Sequence, residues 1–473
     1  MKFKLIKAFA ACLVSLFFIN EAIAQQIAFP GAEGFGKFAT GGRGGKVLYV
    51  TNLSDSGPGS IRQAFNSNFP RIVVFAVSGT VHLQSPLHIS KDNITIAGQT
   101  APGDGICIAD YPVGISASNV ILRHIRFRMG DKNQNKGKVN GAGSDDALSG
   151  GNKRKNIIVD HCSISWSTDE AFSVYAGDST TLQWNLISEP LNYSYHFETG
   201  DTDFEHHGFG GIWGGAHLSA HHNLFAHCNS RTPRFEGNRH IPQEFVDFQN
   251  NVIYNWGINN VYAGEGGNYN IVNNYYKYGP NTAKNVKYRI ANPYKLEGKI
   301  PFGKFYINGN YVDGSPEVTT DNWKGVEMNK GTEADKEKAK ANSAFDAIKV
   351  TMQPAETAYL SVLSHVGASL PKRDTLDERI IKDVQNRSGK IIDVQGGFPH
   401  GTPYDKTVNA WPALKQGVAP TDTDLDGMPD AWEVKQNLDP KNSSDGNLYS
   451  LTKSYTNIEV YLNSLDKNVQ SRY

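Results

Sequence analysis

Two acidic pairs and one arginine pair stand out in this 473-residue sequence. Asp145 and Asp146 precede the apolar run Asn156-Ile-Ile-Val159 that leads into Asp160-His161, and Asp169 and Glu170 follow it in Ser167-Thr-Asp-Glu170. An isolated Asp at a turn more often caps local backbone. Two acidic pairs flanking one strand instead gather hard oxygens from neighbouring strands, which suits Ca2+, an ion that accepts several oxygens at flexible geometry, including those of a bound acidic sugar. Further along, Arg231 and Arg234 bracket Pro233, whose ring stiffens the segment and whose missing N–H marks a strand edge or exit. A guanidinium fork matches a carboxylate bidentately, so this pair beside a calcium site would hold a uronate polymer by its acid groups, where a plain surface ion pair would contribute little. Calcium and arginine around a uronic acid together imply proton abstraction at the carbon next to the carboxylate, because neutralising that carboxylate stabilises an enolate-like intermediate. β-Elimination of the glycosidic oxygen would follow.

A second acidic register lies near the C-terminus in DTDLDGMPDAWE, residues 422–433. Asp422, Asp424 and Asp426 take the first, third and fifth positions of an EF-hand loop, Gly427 the sixth, Met428 the carbonyl at the seventh, Asp430 the ninth and Glu433 the twelfth. With every ligand position filled, a structural calcium is expected there. The histidine doublets His206-His207 and His221-His222 invite an acid–base role, but the second pair falls on a repeat, which favours an inward or ladder position. His222 is carried with Arg234 as a substrate-binding candidate.

The elements that must position these groups are repeats. Arg123-His-Ile-Arg-Phe127, Asp160-His-Cys-Ser-Ile164, Trp184-Asn-Leu-Ile187, His222-Asn-Leu-Phe225, Asn250-Asn-Val-Ile-Tyr254, Asn273-Asn-Tyr-Tyr276 and Gly309-Asn-Tyr-Val312 mostly set His or Asn before apolar residues. They recur at intervals of roughly 23 to 38 residues, each after a short alternating apolar run, which is a repeated strand signal. Period-two alternation turns one face of each strand inward, and an Asn at the same point of successive coils can stack its amide on the next. The pattern predicts an all-β, right-handed, single-stranded parallel β-helix with short helical decorations and the small C-terminal calcium loop. Insertions between rungs, such as 193–215, would then wall a groove on the binding face.

Residues 1–24 combine Lys2, Lys4 and Lys7, an apolar run and Ala22-Ile-Ala24, so a signal peptide cleaved near Ala24 and a secreted, periplasmic or extracellular, protein are expected. No later apolar run reaches membrane-span length. Lys plus Arg equals Asp plus Glu at 47 each, which gives no general pull towards nucleic acid or an anionic membrane. Cys107, Cys162 and Cys228 remain beyond the leader, and buried free thiols suit an odd number in a chain too large to need a disulfide framework. The glycines of FPGAEGFGKFATGGRGG, residues 29–45, predict tight turns or close backbone packing, with no helix after them to make a nucleotide fingerprint. Ser60 to Phe65 predicts a helix capping the open end of the solenoid. The expected organisation is a β-helix over 25–320, a helical and irregular segment over 321–415 with helices at Glu333–Lys349 and Thr375–Val384, and a calcium-loop unit over 416–473 ending in the amphipathic stretch Asn457–Leu465. A monomer is expected.

These residues amount to a resemblance. FPGAEGFG at 29–36, GSIRQAF at 59–65, VDHCSISWSTDE at 159–170, HHNLFAH at 221–227 and SRTPRF at 230–235 resemble, in order, motifs of pectate lyases of polysaccharide lyase family 1, over 28–312. The resemblance implies a secreted β-helix enzyme that cleaves de-esterified α-1,4-polygalacturonate to 4,5-unsaturated oligogalacturonides with Ca2+. It implies that Arg231 removes the C5 proton of a galacturonate and that Asp146, Asp169 and Glu170 bind the catalytic calcium, with Asp145 an additional or alternative ligand. A guanidinium ordinarily stays protonated, so that role calls for neighbouring positive charge and an alkaline medium. Two departures are visible: the family often has a further arginine where this chain has Glu236, and its substrate-binding lysine is replaced near Tyr175.

Two other readings share the fold. A polygalacturonase would use an acid pair such as Asp145-Asp146 around an attacking water, but it gives Arg231-Thr-Pro-Arg234 no work. A non-catalytic carbohydrate-binding solenoid needs no acids and arginines converging at one longitudinal position.

Overall fold

The computed structural model describes residues 25–467, so the leader expected at 1–24 lies outside the described residues. Short strands wind into three parallel sheets of ten, eight and nine strands, each coil adding one strand to each sheet and the strands within each sheet pairing in parallel. This is the parallel β-helix that the repeats predict.

Alternation sends one set of side chains into a continuous core that includes Val159, Ile164, Phe172, Leu182, Trp213, Phe225 and Phe248. The turn after each ten-stranded-sheet strand is built by two residues of the repeat. The first takes a left-handed conformation, at His124, His161, Trp184, His222, Asn250 and Asn273, with φ between 52 and 57° at all six. From Trp184 onward the second is a buried Asn whose side-chain oxygen accepts from the backbone N–H of the preceding rung: Asn185 from Cys162, Asn223 from Asn185, Asn251 from Asn223, Asn274 from Asn251 and Asn310 from Asn274, all at 2.9–3.0 Å. Each amide thus neutralises a buried N–H that no strand pairing reaches.

Two of the three outer faces are covered. The glycine-rich segment at 29–45 lies flat on the ten-stranded sheet, where Gly36 N–H donates to Thr181 Oγ1 at 2.8 Å and a Cβ on Gly36 would stand 2.3 Å from the Ile157 carbonyl oxygen. The C-terminal unit packs on the same sheet, with Met428, Ile458, Tyr461 and Leu462 against Ile72, Val74 and Ala97. The nine-stranded sheet is covered by the segment 362–411, whose Val362, Leu376, Ile380, Val384 and Trp411 meet Trp184, Leu224 and Tyr254. Buried Arg128 clamps this segment to the solenoid through Asp374 and through Asp377 at 2.8 Å.

Among the smaller elements, the end helix runs Ile61–Asn66 with Ser60 as its cap. The helix expected over Glu333–Lys349 stops at Ala339, where Lys340 leaves helical geometry and Ala341 donates to Phe305 of the solenoid. A helix at Ala355–His365 escaped the sequence reading; its capping position is Pro354, which offers no polar signal. The expected helix at Thr375 extends to Asn386, and the terminal one spans Asn457–Ser464. The three cysteines are buried and free.

Candidate active site

The eight-stranded sheet carries the groups singled out by their chemistry. Its inward residues Leu148, Phe172, Trp213 and Phe235 belong to the core, so the alternate positions form an outward column through Gly114, Ser149, Ser173, Ile212 and Arg234 on successive rungs. Small side chains at Gly114, Ser149 and Ser173 leave a cleft of about 420 Å3, lined by Asp145, Asp146, Asp169, Glu170 and Tyr175.

The acids sit where the chain enters this sheet on consecutive coils. Asp169 N–H donates to the Asp145 carbonyl at 3.2 Å, Ala171 N–H to the Phe209 carbonyl at 2.9 Å, and Gly210 N–H to the Ser230 carbonyl at 2.9 Å. The stacking aligns the acidic pairs with Arg231. Asp146, Asp169 and Glu170 each bring one carboxylate oxygen within 4.8 Å of the others. Arg231 reaches across the intervening rung, its guanidinium carbon 4.4 Å from the Phe209 ring centre, to pair with Glu170.

Burial, then repulsion from Asp169, pushes Asp146 well above the usual carboxylate range. Burial also works to raise Asp169, but the hydrogen bond and charge of His207 outweigh it and hold that carboxyl below its usual value. Burial opposes a charge on His207, yet Asp169 and Glu205 bring it up to about 9. Glu170 Oε1 is buried and held in the ion pair with Arg231. Three converging carboxylates, one of them strongly desolvated, form a donor set that fits a hard divalent cation.

Three site expectations need correction or refinement. Asp145 stands beside the cluster, because its Oδ2 accepts from Gln134 Nε2 at 3.0 Å. Arg234 lies on the column, but its guanidinium is anchored to the carbonyls of Phe235 at 2.9 Å and Glu236 at 3.3 Å, with Glu265 at 3.5 Å. His222 does not reach the groove: it is fully buried on the opposite side of the coil, in a ring stack with Trp184 at 4.3 Å, its Nε2 3.2 Å from Gln353 Oε1. The left-handed turn position that makes the ladder is what withdraws it.

His196 at Asp169 escaped the sequence reading, and His207, noted there only in the doublet His206-His207, was not placed beside the acids. They come from a long insertion with no periodic register, so only the folded loop brings them to the acid.

The C-terminal loop gathers Asp422, Asp424 and Asp426 into one set and Asp426, Glu433 and Asp445 into another. Glu433 is fully buried, with neither carboxylate oxygen hydrogen-bonded. Burial pushes Asp426 up to about 8 and Glu433 up to about 7. The set fits a cation but departs from the expected register: Asp430 turns away to accept from Thr423 N–H and Oγ1–H, both at 2.7 Å, and Asp445 from a following turn takes part instead. The Met428 side chain packs in the apolar cluster beneath. Tyr49 of the solenoid donates to Asp422, tying this loop to the first strand.

No protein-family model matches the chain. Among curated proteins, the probable pectate lyase C of Aspergillus fumigatus is 37% identical over 472 residues, covering 97% of this chain and 98% of its own. That of Emericella nidulans is 35% identical over 463 residues, 96% of each. Of solved structures, the cedar pollen allergen jun a 1 superposes with a TM-score of 0.49 at 16% identity, over 71% of this chain and 92% of that one.

Proposed function

The chain belongs to the pectate lyases and is a polysaccharide lyase, and from that premise we propose that it cleaves de-esterified polygalacturonate by calcium-assisted β-elimination in the cleft over the eight-stranded sheet. The observation that carries this reading is the meeting of Asp146, Asp169, Glu170 and Arg231 at one longitudinal position. A scaffold would not need that convergence, and a hydrolase would leave Arg231 without work.

Asp146, Asp169 and Glu170 would hold the calcium, with Asp145 near enough to join if it leaves Gln134. Bound there, the ion supplies positive charge to the galacturonate carboxylate and so acidifies the neighbouring C5–H. The ion pair with Glu170 holds the Arg231 guanidinium; a Glu170 turned to the calcium releases it towards the cleft. Arg231 then takes the C5 proton, helped by an alkaline medium, and the O4 leaving group departs with formation of the C4–C5 double bond. The Phe209 ring under the guanidinium holds its plane and excludes water from one side. Glu236 stands where relatives often place an arginine and is engaged by Ala176 N–H at 2.9 Å and His240 at 2.7 Å, so subsite contacts on that side are this chain's own.

We also assign the C-terminal loop a structural calcium, and the protein an exported location. No described helix is long and apolar enough to cross a membrane.

The test is ultraviolet absorbance with de-esterified polygalacturonate at alkaline pH. A calcium-dependent rise, abolished by chelator and lowered about 100-fold or more in Arg231→Lys, is expected for loss of a positioned base. New reducing ends without a rise would replace the lyase by a hydrolase.

A further inference from the structure

Beside the three-carboxylate cluster, the insertion places two imidazoles against Asp169. His196 and His207 stack at 4.0 Å between ring centres, and both are almost wholly buried. One ring nitrogen of each and one Asp169 oxygen lie within 4.8 Å of one another. His207 Nε2 is 2.6 Å from Asp169 Oδ1, and His196 Nε2 lies 3.5 Å from Glu205 Oε2 and 3.7 Å from Glu198 Oε1. The other ring nitrogens are both engaged: His207 Nδ1 faces Glu205 at 3.3 Å, and His196 Nδ1 faces the Gly143 carbonyl at 3.2 Å.

That division of labour is what a metal-ligating histidine shows. One nitrogen is fixed by a carboxylate or carbonyl, which sets the tautomer and leaves the other lone pair for the ion. Two buried imidazoles and a carboxylate thus meet at one point, where an ion would take the place of the proton that His207 shares with Asp169. We propose that His196, His207 and Asp169 form a binding site for a borderline divalent cation of the Zn2+ type, separate from the hard-oxygen calcium cluster but sharing Asp169 with it. Imidazole nitrogens select zinc, cobalt or copper over calcium, and a two-histidine, one-carboxylate set leaves a fourth position open. Asp169 is the most exposed of the three, with 18% of its side chain accessible, so an ion enters from the cleft side. Through the shared carboxylate, an ion there draws Asp169 away from the calcium cluster and lowers its affinity for Ca2+.

The probe is Co2+ titrated into the chelator-stripped, full-length exported protein without polysaccharide, followed by visible absorption. Low-coordinate cobalt with nitrogen ligands absorbs strongly, whereas the all-oxygen C-terminal loop gives only weak octahedral bands. The expected result is an intense band that saturates at one equivalent, is displaced by Zn2+, and is lost in His196→Ala. Glu205→Gln, which removes the charge that faces His207 Nδ1 at 3.3 Å and His196 Nε2 at 3.5 Å, weakens binding by about 10-fold to 100-fold and serves if the first variant does not fold. Absence of the band in the wild-type protein, or an unchanged band in either variant, overturns the proposal. Because no substrate is present, that failure is separate from any failure of the lyase assay.

Discussion

Asn223→Ala tests the amide ladder on the rung that carries Arg231. Asn223 Oδ1 accepts from Asn185 N–H at 2.9 Å and from Asn185 Nδ2 at 3.0 Å, while its own Nδ2 donates to the Leu182 carbonyl and to Asn251 Oδ1, each at 2.9 Å. The alanine leaves the buried Asn185 N–H without its acceptor and removes a donor from Leu182; Asn185 Nδ2 keeps the Val159 carbonyl at 3.0 Å. Two buried groups at about 1–3 kcal/mol each give a loss of about 2–6 kcal/mol. Asn223→Asp keeps both accepted bonds but turns the two donated ones into contacts between acceptors and buries a charge. Burial raises that carboxyl, so the folded state holds a proton that the unfolded chain releases near about pH 4, and stability falls as pH rises above that value. Urea unfolding followed by tryptophan fluorescence, at several pH values, reads both variants. The reasoning is refuted if Asn223→Ala stays within about 1 kcal/mol of wild type, or if Asn223→Asp shows no added loss on going from mild acid to alkali.

In the C-terminal loop, calcium at about 100 times its Kd should raise stability by about 2.7 kcal/mol; thermal melts should show that gain lost in Asp445→Asn and kept in Asp430→Asn, the reverse of what the loop register alone implies. Asp374→Asn leaves buried Arg128 with one carboxylate fewer and should cost about 3–5 kcal/mol, seen as early proteolysis of the 362–411 segment. Burial pushes Glu244 up to about 8, so the folded protein keeps a proton that the unfolded chain has lost. Its contribution is present in mild acid and falls as pH rises, by up to about 1.4 kcal/mol per pH unit, until about pH 8; Glu244→Gln should flatten that slope in pH-dependent melts.

Much of the architecture was legible because a solenoid repeats its local rules. The position before each Asn and the Asn itself recur because every coil needs the same left-handed turn and the same buried N–H satisfied, so the ladder shows in the residue order. The acids and Arg231 were legible for a related reason: they occupy the same turn of nearby coils, the acids on neighbouring rungs and Arg231 one rung further, and residues in register along the chain are stacked in space. His222 was misread as a substrate contact because the sequence shows that a residue is on the repeat without showing which side of the coil its turn faces. The helix at Ala355–His365 had no polar cap to announce it.

The residue order by itself determined the winding, the ladder, the convergence of Asp146, Asp169, Glu170 and Arg231, and the presence of an acidic loop near the C-terminus. Only the tertiary structure decided which sheet stays open as a groove, that Asp145 turns to Gln134 and Asp430 to Thr423, and that Asp445, His196 and His207 join the clusters. The physical reason is range. Rung positions are set by bonds between neighbouring coils and carry a period, whereas the groups that cover a face or complete a cluster arrive from insertions and from the C-terminal units, whose placement follows from burial of apolar surface and pairing of charges with no period to read.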